Sequence, residues 1–133
     1  MTTIWSILLA ILIFGCIIAI HEFGHFIAAK RNGIQVNEFA IGMGPKIFHF
    51  QKGETLYSLR LFPIGGFCSM EGEDAESKNA RAFDQKPVWR RMIVVLAGAF
   101  MNLVLGFVLL IATTCSDPYL ISNTIHGFHE QAT

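Results

Sequence analysis

Two long apolar stretches dominate the hydrophobic pattern of this chain. The first covers residues 4–20 and continues, with polar interruptions, to Ala29; the second covers residues 92–114. At about 1.5 Å per residue, each is long enough to cross roughly 30 Å of hydrocarbon as a helix. The competing reading, two buried helices of a soluble protein, fits poorly with stretches so long and so nearly free of charge. The first stretch is not a good secretory signal, because it has no basic start, is too long, and precedes no small-residue cleavage pattern.

The segment between them has a different period. Residues 35–41 read as extended, and Gly42, Met43, Gly44 and Pro45 as a turn. Residues 46–51 alternate in part, and Lys52 and Gly53 form a second turn. Residues 55–62 alternate better, with Tyr57, Leu59 and Leu61 on one face and Ser58 and Arg60 on the other. Residues 63–66 end the run. The pattern predicts a small antiparallel sheet with an apolar face. That face either sits against a membrane or dips into a protein-lined cavity, since bare lipid would leave its edges unsatisfied. Residues 71–81 are polar and read as a flexible cytoplasmic stretch. Asp117 and Pro118 break the second helix, and the tail holds one strand-like piece at residues 122–126. The predicted fold class is a mainly α membrane protein, two transmembrane helices joined by a cytoplasmic segment that contains a small antiparallel β-sheet. The expected divisions are a first helix over 1–32, a β-loop over 33–70, a linker over 71–87, a second helix over 88–116 and a tail over 117–133.

Composition agrees: 53% of residues are hydrophobic and 15% charged, against roughly a quarter charged in soluble domains. A net charge of zero gives no reason to expect nucleic acid. Three cysteines, Cys16, Cys68 and Cys115, are an odd count that speaks against a disulfide framework. Charge placement predicts orientation. All ten Lys and Arg residues fall between Lys30 and Arg91, and basic residues near span ends stay in the cytoplasm. Both ends of the chain are therefore expected outside the cell membrane and residues 30–91 inside. Trp89 would anchor the inner interface, and Pro87 suits a helix start, where a missing N–H costs little.

The chemistry-bearing motif is His21-Glu22-Phe23-Gly24-His25. On a helix, residues i and i+4 project from one face one turn apart, so two imidazoles can grip one Zn2+. Glu22 then reaches past the metal and can take the proton from a water attacking a carbonyl. His21 lies about 26 Å along a helix from Ile4, and His25 about 7 Å before Lys30. Three ionisable groups inside the inner leaflet need a reason, because each is costly there. The alternative is a helix that ends near Ile20, with the motif in a solvated turn; Phe23, Phe26, Ile27, Ala28 and Ala29 continue the apolar character against it. A catalytic zinc needs a third protein ligand. Asp74 and Asp84 lie in the polar stretch, Asp117, His126 and His129 are expected outside, and His49 is in the sheet. None is a good candidate, so the third ligand is expected beyond Thr133. In the second stretch, Gly98, Asn102 and Gly106 share a face. They serve either helix packing or the site, with Gly98 and Asn102 binding the backbone of an unfolded substrate segment.

On these residues the chain resembles the site-2 proteases, specifically the bacterial metalloproteases of regulated intramembrane proteolysis. Residues 21–26 look like that family's zinc motif. Residues 39–45 and 57–67 look like its membrane-associated β-loop, and Arg91 through Leu96-Ala97-Gly98 to Asn102 like its second-span motif. Met70-Glu71-Gly72 fits the end of the loop, whereas Cys68 and Ser69 depart from the usual residues. Ala99 stands where the family often has Pro, which should spare the helix a kink. Residues 122–133 are similar to the opening of the PDZ domain that follows in the family. The resemblance implies a zinc peptidase that cuts transmembrane segments of single-pass membrane proteins, such as anti-sigma factors or signal-peptide remnants. It also implies a later span bearing an Asp ligand, which makes this chain an incomplete, inactive portion. The competing hypothesis is a truncated non-catalytic membrane protein that packs on a partner helix through the face from Gly98 to Gly106. A two-span metal transporter would want polar residues facing each other across the spans, and only Asn102 answers.

Overall fold

The structure is a computed structural model that describes residues 2–116. The elements are helix α1 (Thr2–Arg31), strand β1 (Val36–Lys52), strand β2 (Thr55–Met70) and helix α2 (Val88–Ser116). The chain divides into two units, Met1–Asn102 and Leu103–Thr133. The tail expected to begin a PDZ domain lies outside the described residues.

Helix α1 does not stop at Ile20, so the histidine motif sits within it. Its end is locally encoded. Gly33 adopts φ 68°, a left-handed conformation that costs glycine no Cβ clash. The Ile34 N–H then donates to Ala29 O at 2.9 Å and the Gly33 N–H to Lys30 O at 3.3 Å. This paired closure satisfies two of the last carbonyls, and Ile34 folds back against Ala28 and Ala29 in the core. Lys30 and Arg31 lie in the last turn, where the helix dipole favours cations. Helix α2 starts at Pro87, whose carbonyl accepts from the Arg90 N–H at 3.0 Å, and it runs unbroken through Ala99.

The sheet contains two strands with a doubled register. Phe39 pairs with both Cys68 and Tyr57, Ala40 with Phe67 and Ser58, and Ile41 with Gly66 and Leu59. Beyond the bend, Lys46 pairs with Arg60 and the ladder closes at Lys52 and Thr55. Each long strand thus folds back on itself and supplies two rungs. The bend in β1 needs Gly42, which has φ 84°; a Cβ there would lie 2.5 Å from Phe62 O. The run expected to end at residues 63–66 instead continues to Met70, because residues 66–69 pair with residues 38–41.

The linker also differs from expectation, for it is tied down. Gln35 N–H donates to Arg81 O at 2.9 Å, Glu71 N–H to Gln35 O at 3.0 Å and Phe83 N–H to Glu71 O at 2.7 Å. The Asn79 side chain donates to Gln35 Oε1, and Ala82 is fully buried. These polar residues satisfy one another and strand β1, so polarity here does not mean a free loop. The core where these parts meet contains Ala28, Ala29, Ile34, Val36, Cys68, Met70 and Val94.

Both helices are long and apolar enough to cross a membrane. Their apolar side chains are largely bare; Trp5 is 69% exposed and Phe100 62%. The core helices of a soluble protein are mostly buried, and neither of these is. The second unit, over its described residues, is the apolar remainder of α2, with Leu103, Phe107 and Leu110 exposed.

Candidate metal and proteolytic site

The site is built where α1, the sheet and the first half of α2 meet. His21 and His25 stand one turn apart on α1 with ring centroids 4.8 Å apart and the rings nearly perpendicular. Their Nε2 atoms converge to 3.2 Å. Two nitrogens held at about 2.0–2.1 Å by a tetrahedral zinc would lie about 3.4 Å apart, so the pair fits zinc. The remaining ring nitrogens are both held by α2: His25 Nδ1 lies 2.7 Å from Val94 O, and His21 Nδ1 lies 3.3 Å from the Asn102 carboxamide.

Close approach of α2 depends on small residues. A Cβ on Gly98 would strike His25 Nε2 and would lie 2.7 Å from His21 Nε2. A Cβ on Gly24 would strike Ala97 O and lie 2.7 Å from Met101 Cγ. Any side chain at either position would push the helices apart and disturb the imidazoles.

Phe23 in the motif and Phe26 just after it serve the sheet. Phe23 stacks on Phe26, and Phe26 meets Phe39 at 5.2 Å and Tyr57 at 5.9 Å between ring centroids. This aromatic cluster fixes the sheet along α1. Higher on the helix, a Cβ on Gly15 would strike Pro63 O, so the bend of β2 reaches the middle of α1. Gly66 sits beside Glu22; a Cβ on it would be 3.7 Å from Glu22 Cγ.

Glu22 and His25 open onto a cavity of about 570 Å³, lined also by Cys68, Glu73, Phe83 and Val94. Burial raises the Glu73 carboxyl above its ordinary range, against the pull of the Met70 N–H and His25. Burial pushes the Cys68 thiol up to about 12, helped by the negative charges of Glu22 and Glu73. Cys68 therefore stays a thiol and acts as a small apolar lining residue.

All five residues singled out from the sequence, His21, Glu22, His25, Gly98 and Asn102, come together. Gly98 and Asn102 lie against the imidazoles. His49 does not join them; it pairs with Ser58 on an exposed stretch of β1. Among the described residues, no group of three or more His, Cys, Asp and Glu side chains is arranged to hold a metal. Asp84 is turned to the linker, where Oδ2 accepts from the Ser77 N–H. Asp74, expected in the polar stretch, lines the cavity with Glu73. The sequence had no signal for Glu73 or for the Val94 carbonyl, because nothing in the local pattern shows that the linker and α2 fold onto α1.

Residues 9–133 match peptidase family M50. The chain belongs to this family. It is 50% identical over 113 residues to a candidate zinc metalloprotease of Clostridium perfringens, covering 85% of this chain and 34% of that protein. A similar protein of Fusobacterium nucleatum is 44% identical over 108 residues, 81% of this chain and 32% of the relative. Zinc metalloprotease RasP of Bacillus licheniformis is 58% identical over 71 residues, 53% of this chain and 17% of the relative. The M50 chain spans about a third of the length of the curated relatives it matches most extensively. The site-2 protease resemblance is thereby shown, and with it a membrane protein of a zinc metalloprotease family.

Proposed function

We propose that this chain supplies two zinc ligands and the general base of an intramembrane protease acting on transmembrane segments of single-pass proteins. The observation that carries the reading is the convergence of His21 and His25 Nε2 to 3.2 Å, with Glu22 beside His25 in the wall of one cavity. Zinc, when bound, polarises the scissile carbonyl and makes water a nucleophile near neutral pH. His21 and His25 hold it, and α2 holds their other ring nitrogens. Glu22 accepts the proton of the attacking water and passes it to the leaving amine. The cavity wall of Phe67, Cys68 and Val94 limits bulk water. The α2 face with Gly98 and Asn102 is where an extended substrate segment passes the ligands. The third ligand comes from outside the described residues. Anti-sigma factors and signal-peptide remnants are the substrate class.

The decisive experiment incubates the intact gene product in lipid vesicles with a single-pass membrane protein and maps the cut by mass spectrometry. Cleavage within the transmembrane segment, lost in His21→Ala, is expected. Cleavage only in soluble loops, or cleavage indifferent to His21, overturns the reading. The proposed topology places residues 30–91 in the cytoplasm and both ends of the chain outside, on the one-sided placement of Lys and Arg. A reporter active only outside the cell, fused after Thr133, should be active; a reporter active only in the cytoplasm that works there instead reverses the orientation.

A further inference from the structure

The Asn102 carboxamide presents an unusual imbalance. One end lies 3.3 Å from His21 Nδ1, while its Oδ1 is buried without a partner. A buried carboxamide oxygen left unbonded is costly. The amide end against His21 is the NH2 group, and this decides the state of both rings. With Asn102 Nδ2–H facing it, His21 Nδ1 is the acceptor, which for a neutral ring puts the His21 proton on Nε2. His21 Nε2–H donates to His25 Nε2 at 3.2 Å, and His25 Nδ1–H donates to Val94 O at 2.7 Å. The chain of three bonds is self-consistent and directional, and it leaves one ligand atom, His21 Nε2, carrying a proton.

A metal ion needs lone pairs on both Nε2 atoms. His25 already offers one, because the Val94 carbonyl accepts its Nδ1–H. His21 offers one only if its proton moves to Nδ1, and there the Asn102 NH2 would oppose it. Rotating the amide by half a turn brings Oδ1 to Nδ1–H as an acceptor. The orphaned oxygen gains its hydrogen bond in the same step. Metal-ligating imidazoles almost always donate their other N–H to an oxygen, and α2 would then supply both oxygens, eight residues apart.

We infer that Asn102 is the tautomer-setting partner of His21, its carboxamide reversing when the metal binds so that Oδ1 accepts from His21 Nδ1–H. No proton enters or leaves; the His21 proton moves from Nε2 to Nδ1. Asn102 is thus a positioning residue for the metal site. The inference rests on His21 and His25 as the metal ligands, and the experiment separates the two.

The protein is purified in detergent, and its zinc affinity is measured by competition with a chromophoric chelator for wild type, His21→Ala, Asn102→Leu and Asn102→Asp. Asp keeps the acceptor and removes the donor. His21→Ala should lose zinc; if it does not, the ligand assignment itself fails. Asn102→Leu should weaken zinc about 10–100-fold, the usual effect of removing such a partner, and Asn102→Asp should restore it. Nitrogen-15 spectra of labelled histidine should show the His21 proton on Nε2 without zinc and on Nδ1 with zinc in wild type, and on Nδ1 in both conditions in Asn102→Asp, which lacks the donor. Should Asn102→Leu fail to fold, the Asp variant and the spectra still decide. The inference is overturned if Asn102→Asp weakens zinc as much as Leu does, or if the wild-type His21 tautomer is the same with and without zinc. It is also overturned if Asn102→Leu binds zinc normally and raises only KM, which would assign the carboxamide to substrate.

Discussion

The two halves of α1 form one continuous helix, yet they live in different surroundings. Toward its start, Ile4 is 66% exposed, Leu8 52% and Leu12 57%. Toward its end, Ala29 is fully buried and Gly24 is covered by α2. Small residues mark the places where protein covers the helix. Large side chains fill the bare half, whereas Gly24, Ala28 and Ala29 let the sheet and α2 come close enough to place groups around His21 and His25. In a membrane, where lipid is as apolar as leucine, close packing of small residues replaces the hydrophobic drive.

The sharpest test of this contrast is at Glu22. In the intact gene product, Glu22→Gln keeps shape and hydrogen bonding but cannot accept a proton. Proteolysis should fall about 10²–10⁴-fold with zinc retained, while Leu8→Ala on the bare half should leave the rate unchanged. A Glu22→Gln rate within tenfold of wild type would remove Glu22 as the base.

Two glycines of α2 offer the next comparison. A Cβ on Gly98 collides with both Nε2 atoms, whereas one on Gly106 meets nothing within 4 Å. Gly98→Ala should cost on the order of 10²-fold in activity by displacing the imidazoles, with weakened zinc binding. Gly106→Ala should cost nothing and should stabilise the helix by up to about 1 kcal/mol. Equal effects on zinc content would show that Gly98 is a packing residue only.

A third contrast concerns stability. Phe26 is held among Phe23, Phe39 and Tyr57, so Phe26→Ala should destabilise by on the order of 2 kcal/mol, less than a fully buried ring. Leu9→Ala on the bare half should stay within about 0.5 kcal/mol. Thermal unfolding in detergent measures both.

The smallest effect is electrostatic. Glu54 at the β1–β2 turn ties Lys30 at the end of α1 to Arg81 of the linker. Hydrogen bonds from Arg81 and then Lys30 hold its carboxyl at about 2, below its ordinary 4.5. Because the folded value is depressed, the contribution is complete above pH 4.5 and fades as pH falls from 4.5 toward 2. The pair is near the surface, so the loss should not exceed about 1 kcal/mol. Faster proteolytic nicking of residues 71–87 between those pH values, absent in Glu54→Gln, is the expected result.

Local features were legible along the chain. The two helices follow from long apolar runs, the start of the second from Pro87 just before it, and the pairing of His21 with His25 from a four-residue spacing. The Asn32-Gly33-Ile34 stop belongs with them, because the left-handed glycine and the returning isoleucine act within one turn. Tertiary structure decided the rest. Nothing local shows that residues 38–41 serve two neighbours at once, since doubling back depends on pairing across the sheet. Residues 71–81 read as free because their polarity is satisfied by Gln35 and by one another, far away in sequence. The Val94 carbonyl carries no side-chain signal, and Gly98 becomes a site residue only when α2 lies on the imidazoles. A metal site is a meeting of distant groups. The two imidazoles proposed to hold the metal stand four residues apart on one helix, but the atoms that orient them are chosen by how two helices and a sheet pack.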